Sequence, residues 1–360
     1  MSETTTIKFE GLKGVGNVEL VLRADQRVYA FIGTNGVGKT KVLEGLFQRT
    51  FFSHDQVQKL SQLQFDNQLI SAAAGLVLPR TVVSDTHKYP VLMLGSGFRS
   101  HVERAQQQNY QIGTFENRRL AHIKSQLVAI QSDRFSSISM HENISDWFVS
   151  RAQSGNPYQK ETDNRSIEIQ ALLATLARVD DRFDPSFMQI AGANSVSLKV
   201  RDVVTELSHL SSGFASLVKM LQAIIAGYAN FTNETNITHV KGVVLIDEIE
   251  SHLHIEWQAK IIPLLKELFP NTTFYVATHS ALVLTQLQQG EAYLLKRDEA
   301  DGVVRSELIQ NPNKKLFDDV LNDVFGISLN KLKREQMDKD GQATAKKMLL
   351  DLLNETEVAQ

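Results

Sequence analysis

The 360-residue chain contains no cysteine, which removes disulfide scaffolds, thiolate zinc sites, iron–sulfur clusters and cysteine nucleophiles together. Long uninterrupted apolar runs are missing too: Val243–Ile246 is typical, whereas a bilayer span needs roughly 20 such residues. Residues 1–23 hold no basic start followed by an apolar stretch, so no secretory leader and no membrane are expected, and a cytoplasmic location is. Aromatics are sparse at 8%, and the net charge is only −3, from 38 Lys and Arg against 41 Asp and Glu. Neither sign dominates enough to point to a polyanion partner. What is present is ordinary globular composition, 42% apolar and 22% charged, enough for one large domain or two of usual size.

Thr6–Phe9 and Val18–Leu22 alternate apolar with polar residues, as half-buried strands do. Arg27–Ile32 is a third strand-like run ending at Gly33, after which Val42, Leu43, Leu46 and Phe47 recur at helical spacing. Residues 51–135 carry Gln-rich stretches (56–68 and 106–111), an apolar run at 72–78, and breaks at Pro79 and Pro90. No heptad repeat persists there to make a coiled-coil arm. Helical spacing returns over 141–179, with Ile167, Ala171, Leu172 and Leu176 on one face, then a strand at Ser195–Val200 and an apolar helix at Leu217–Tyr228. Gly242–Ile246 and Thr273–Ala277 are continuous apolar runs, as in strands buried on both faces of a parallel sheet. With the helical stretch Glu256–Leu268 between them, they make a βαβ unit. Ala292–Lys296 and Val303–Leu308 read as a hairpin, and Ala345, Met348, Leu349, Leu352 and Leu353 as the apolar face of a terminal helix.

Gly33-Thr34-Asn35-Gly36-Val37-Gly38-Lys39-Thr40 fits G-x-x-x-x-G-K-[ST], with a strand before it and a helix after it. A backbone that wraps around phosphates turns through positive φ angles and so calls for glycine. Its N–H groups and the helix N-terminus then face the negative charge. In that setting Lys39 bridges the β- and γ-phosphates and the Thr40 hydroxyl ligates Mg²⁺. Asp247 and Glu248 stand at the C-terminal end of the Gly242–Ile246 run, where parallel sheets place ligands. Asp247 suits Mg²⁺ and Glu248 suits proton removal from an attacking water; two acids after a strand also serve as a helix N-cap. Thr278, His279 and Ser280 end the next buried run, where a histidine can donate to a γ-phosphate. Leu210-Ser211-Ser212-Gly213-Phe214 opens a helix, as an ordinary cap or a second phosphate site.

In this order the four motifs resemble an ABC-type ATPase head: Walker A (Gly33–Thr40), signature loop (Leu210–Phe214), Walker B with its glutamate (Asp247, Glu248) and switch histidine (His279). Ile246-Asp-Glu-Ile-Glu-Ser-His-Leu-His254 is similar to the D-E-P-E-x-H-L-H run of the chromosome-maintenance, RecF-like and OLD ATPases, and Thr278–Val283 to their T-H-S-P-x-x-L run. That group includes ATPase subunits of bacterial anti-phage systems of Septu, retron-linked and PARIS type. The likeness holds over about residues 5–50 and 200–310 and is loose between.

The resemblance implies an α/β P-loop head with a mixed or parallel sheet core, N-terminal antiparallel strands and a helical insertion. The ATPase core would comprise 1–50 and 195–310, the insertion 51–194, and a C-terminal helical extension 311–360. It implies catalytic roles for Lys39, Glu248 and His279, ATP and Mg²⁺ as ligands, and a head-to-tail homodimer or higher homo-oligomer. Walker A of one subunit and Ser211 and Gly213 of the other would share each ATP. Ser251–His254 takes the place of the D-loop, and Gln131, in Leu127–Ser132, that of the Q-loop glutamine. Two departures stand out: Ser212 replaces a glycine, and Phe214 stands where Gln or Glu is usual, which leaves the ribose-side hydrogen bond open. Ile249 replaces a proline.

His252 and His254, at i and i+2, point to different helix faces, so no zinc is expected. Gly95-Ser-Gly-Phe-Arg99 is too short to mark a second nucleotide site. The expected function is an ATP-hydrolysing switch that controls a separate nuclease or toxin in anti-phage defence, with Lys331–Glu357 as the docking tail. A RecF-like DNA-binding repair ATPase is the alternative, carried by Arg99, Arg104, Arg118, Arg119, Lys124 and Arg134 with Tyr110 and Phe115 interleaved. A transporter's nucleotide-binding subunit is a third reading, disfavoured by the roughly 36 residues between Ser211 and Asp247.

Overall fold

The N-terminal alternating runs form an antiparallel hairpin, β1 (Thr4–Leu12) and β2 (Gly16–Arg23), whose inward residues, among them Phe9, Val18 and Leu20, are buried. In the computed structural model, residues 3–62, 87–105, 112–156, 158–192 and 194–315 are described. The apolar run at 72–78, Tyr110, the Gln-rich 106–111 and the terminal helix around Ala345–Leu353 lie outside them. Residues 1–313 form one compact unit and residues 314–360 a second.

The runs without alternation become the buried parallel strands. β3 (Val28–Ile32), β8 (Gly242–Ile246) and β9 (Thr272–Ala277) pair in parallel, with β9 between the other two. β10 (Ala292–Arg297) continues the parallel set beside β3 and pairs antiparallel with β11 (Val304–Leu308), which joins the N-terminal hairpin. The full order is β1-β2-β11-β10-β3-β9-β8-β4. The far edge strand, β4 (Val91–Leu94), is buried at all four positions and parallel to β8. It comes from the stretch assigned to the insertion, as does α3 (Phe115–Gln131), whose Ile123, Leu127 and Ile130 join the main core. The sheet thus takes one strand, and the core one helix, from the stretch between the two flanking segments.

α1 (Lys39–Phe52) follows β3 and buries Val42, Leu43, Leu46 and Phe47 as their spacing predicts. The helical stretch after His141 divides into α4 (Ile144–Ser154), which ends at Gly155, and α5 (Ser166–Val179). Leu172 and Leu176 are fully buried. A second, three-stranded antiparallel sheet is made by β5 (Phe183–Ile190), β6 (Val196–Val200) and β7 (Val203–Glu206). The expected helix over Glu256–Leu268 is two pieces, α7 (Ile255–Gln258) and α8 (Ile261–Leu268). Pro263 explains the break: it has no N–H for the carbonyl four residues back, at Ala259, and its ring crowds that carbonyl.

α6 (Ser212–Phe231) is long and apolar enough to cross a membrane, with mean hydropathy 1.2, but 89% of that window is buried inside the protein. A helix apolar on all sides is a core helix when protein surrounds it. Its few polar residues, Ser216, Lys219 and Gln222, are buried as well, and they interrupt the apolar run that the sequence shows.

Candidate functional site

β3 is buried throughout and hands the chain to Gly33 at its C-terminal end. At Gly38 the backbone has φ +108, and a Cβ there would lie 2.6 Å from Val15 Cγ2. Only glycine lets the loop turn while the β1–β2 hairpin tip closes on it. No side chain caps α1, so its first-turn N–H groups remain available to an anion. Lys39 is buried and turns its ammonium onto the carbonyls of Gly33 (2.8 Å) and Thr34 (3.0 Å). Burial pulls its pKa down, and Asp247, Glu250 and Glu248 partly offset that.

The Thr40 hydroxyl donates to both carboxylate oxygens of Asp247, at 3.0 and 3.1 Å. Two residues 207 positions apart in sequence meet because β3 and β8 flank β9 in parallel and end at the same edge of the sheet. Asp247 is 3% exposed, and burial raises its pKa against the lowering effect of the Thr40 bond. A hydroxyl and a buried carboxylate form a hard-oxygen pair that fits Mg²⁺, which takes few protein ligands and completes its shell with water and phosphate. Among the described residues no group of three or more His, Asp or Glu is arranged to hold a metal. His254 is instead the N-cap of α7, accepting from Glu256 N–H at 3.4 Å.

Glu248 follows in a left-handed conformation, φ +46, which for a non-glycine residue costs about 1–3 kcal/mol and persists only where the surroundings fix it. His279 leaves β9 beside it. Burial lowers the His279 pKa first and the Lys39 charge second, against the Glu250 and Glu248 charges, which favours the neutral ring. Glu250 fastens this turn to the Walker B turn: its carboxylate accepts from the Thr278 hydroxyl at 2.7 Å and from the His279 N–H at 2.6 Å. Glu250 is a functional residue that the motif reading left without a role, although it sits within the Asp-Glu-Ile-Glu run. Together Asn35, Gly36, Gly38, Lys39, Thr40, Glu248 and His279 line one cleft of about 520 Å³. Its remaining wall is Lys13, Gly14, Val15 and Lys41. Asp133 ties Lys13 (2.6 Å) to Lys41 (3.3 Å) across its mouth.

Ser211 and Gly213 are not part of that wall. Ser211 caps α6, accepting from Phe214 N–H at 3.4 Å. A Cβ on Gly213 would come within 3.0 Å of the His252 carbonyl, so the helix start abuts the turn after Walker B. Phe214, the residue that departs from the signature pattern, stacks on Phe183 at 4.5 Å and packs against Trp257 at 5.3 Å. Apolar packing in place of a polar ligand contact accounts for the departure. Phe214→Ala should lower unfolding stability by about 3–5 kcal/mol, read from urea denaturation; a loss under about 1 kcal/mol would contradict this core role.

Gln131 lies exposed on the last turn of α3 and is not in the cleft wall. Within the basic stretch expected to follow a nucleic-acid backbone, two of the six cations are buried, two pair with acids, and Lys124 and Arg134 are exposed. Arg99 and Arg118 are buried, Arg104 pairs with Glu206 at 2.7 Å and Arg119 with Glu116 at 2.5 Å. The Phe115 ring lies beneath Arg118 and Arg119.

A parallel core whose Walker A and Walker B strands flank a third strand ending in the switch histidine, with a glycine-rich loop opening a helix, defines a P-loop head of the ABC-ATPase type. Residues 108–285 match the family described as "AAA domain, putative AbiEii toxin, Type IV TA system". The chain is 24% identical to the Septu protein PtuA of Bacillus mycoides (strain KBAB4) over 314 residues, 79% of this chain and 38% of that protein. With the Septu protein PtuA of Bacillus thuringiensis the identity is also 24%, over 89% of this chain and 83% of that protein. A 112-residue stretch is 36% identical to the "Retron Ec83 probable ATPase" of Escherichia coli, covering 31% of this chain and 19% of that protein. The chain thus spans well under half the length of two of these three relatives.

Proposed function

We propose that this chain is an ATP-binding and ATP-hydrolysing switch of bacterial anti-phage defence, acting in the cytoplasm, that pairs head to tail around ATP and controls a separate effector protein. The contact of Thr40 with Asp247, at the lip of a cleft that also holds Lys39, Glu248 and His279, carries the reading. Lys39 and the N–H groups of the loop and α1 would hold the phosphates; Thr40 and Asp247 would hold Mg²⁺. Bound Mg²⁺ would supply neutralisation of charge developing on the transferred phosphoryl group. Glu248 accepts the proton of the attacking water, and the neutral His279 ring offers one N–H to the terminal phosphate. Positioning and charge stabilisation do most of the work in such transfers.

That Ser211 and Gly213 stand outside the cleft of their own chain supports a pairing in which they serve a partner's nucleotide. The Septu and retron names of the relatives support the defence setting and a partner effector. Mass photometry of the full-length Glu248→Gln protein should show a doubled mass with Mg–ATP and not without it. A mass indifferent to saturating ATP would remove the pairing. Deleting residues 331–360 should abolish co-purification of an effector encoded beside this protein; retained binding would place the docking surface elsewhere.

A further inference from the structure

Arg99 is 0% exposed, and its guanidinium donates to main-chain carbonyls. Nε reaches Gly95 O at 2.9 Å, one terminal nitrogen reaches Glu248 O at 2.7 Å, and the other serves both Leu94 O (3.3 Å) and Asp247 O. One planar fork thus ties the C-terminal ends of β4 and β8 together at the point where the Walker B turn begins. A cation so deeply buried persists only when its donors are met and its charge is compensated. Burial lowers its pKa to about 10, and the nearby Asp247, Glu250 and Glu248 charges favour the cation, so it is charged at neutral pH.

One of the residues it grips holds an unfavourable backbone state: Glu248 has φ +46. Three main-chain bonds also frame that turn, Asp247 N–H to Leu94 O at 3.1 Å, Ile249 N–H to Ala277 O at 3.2 Å and Ser251 N–H to Glu248 O at 2.8 Å. The first comes from β4 but stops at Asp247; the bond from the β4 side to the Glu248 carbonyl is the one Arg99 makes. The Arg99 segment is itself held from the far side. Lys219 of α6, 2% exposed, donates to Phe98 O at 2.8 Å and His101 O at 3.2 Å, and Gly97 N–H donates to Ser136 O at 2.7 Å.

We infer that Arg99 is a positioning residue for hydrolysis: its guanidinium fixes the main chain of Asp247 and Glu248 in the left-handed turn that aims the Glu248 carboxylate into the cleft. The inference rests on the reading of Glu248 as the base. Arg99 meets Asp247 and Glu248 through their main-chain carbonyls alone and is not in the cleft wall, so its loss acts first on the chemical step. A lysine offers a point charge in place of a fork and cannot hold four carbonyls at once.

In the full-length protein, Arg99→Lys should slow single-turnover ATP hydrolysis on the order of 10²-fold, the scale of an ångström-sized misplacement. Affinity for a fluorescent ATP analogue should stay within about threefold, because uniform binding is untouched. The double variant Arg99→Lys/Glu248→Gln should be no slower than Glu248→Gln alone, since the arginine acts through the glutamate. Multiplied losses in the double variant would overturn the inference. So would parallel loss of affinity and rate in both Arg99→Lys and Arg99→Met, which would make Arg99 a scaffold residue. A slow Glu248→Gln beside an unimpaired Arg99→Lys overturns this inference alone. A wild-type rate in Glu248→Gln overturns the base assignment first and the inference with it.

Discussion

Replacing Glu248 by glutamine should leave Mg–ATP bound and slow its hydrolysis on the order of 10²–10⁴-fold, the range for a positioned general base. The substitution keeps the size of the side chain and its hydrogen-bonding reach, and it leaves untouched the Arg99 bond to the Glu248 carbonyl that holds the turn. Only the capacity to take a proton is lost. Calorimetry gives the affinity and single-turnover phosphate release gives the rate. Turnover within a few-fold of wild type would move the base elsewhere in the cleft, and the ATP-dependent pairing expected of this variant would lose its basis.

Lys39→Ala should have the opposite signature: nucleotide binding fails before chemistry is reached. The ammonium now satisfies two loop carbonyls and is a buried cation that feels the charges of Asp247, Glu250 and Glu248. Hydrogen bonds to charged groups contribute about 1.5–3 kcal/mol each, so losing two weakens ATP binding by about 10²–10⁴-fold. ATP should then no longer raise the melting temperature, because stabilisation by a ligand follows its affinity. Unchanged affinity by calorimetry would show that the loop N–H groups suffice and would remove Lys39 from the binding set.

Much of the site was legible because its chemistry is local in sequence. Gly33–Thr40, Asp247, Glu248 and His279 each sit at the end of a strand whose apolar run is plain, and the sheet brings those ends together. The parts that were not legible depend on contacts across the chain. β4 is four residues long and begins directly after Pro90, so no periodicity marks it, yet it closes the parallel sheet. Arg99 follows a short glycine-rich stretch that suggests nothing until β4 and β8 are known to be neighbours. Gln131 was placed by analogy and stands exposed, while Asp133, two residues on, meets the cleft's lysines. The basic stretch from Arg99 to Arg134 reads as a track for a phosphate backbone because burial of Arg99 and Arg118 has no signature in a charge count. Pro263, by contrast, was a visible helix breaker within the expected Glu256–Leu268 helix.

Glu250 has a mechanical consequence. One carboxylate clasps the Thr278 hydroxyl and the His279 amide, and one residue later the Ser251 carbonyl receives the Ser216 hydroxyl of α6 at 3.2 Å. The His279 segment and the long central helix are therefore tied to the same short arc of backbone. A ligand that shifted His279 would pull on Glu250 and, through Ser251, on Ser216, little more than one turn into the helix that Ser211 caps.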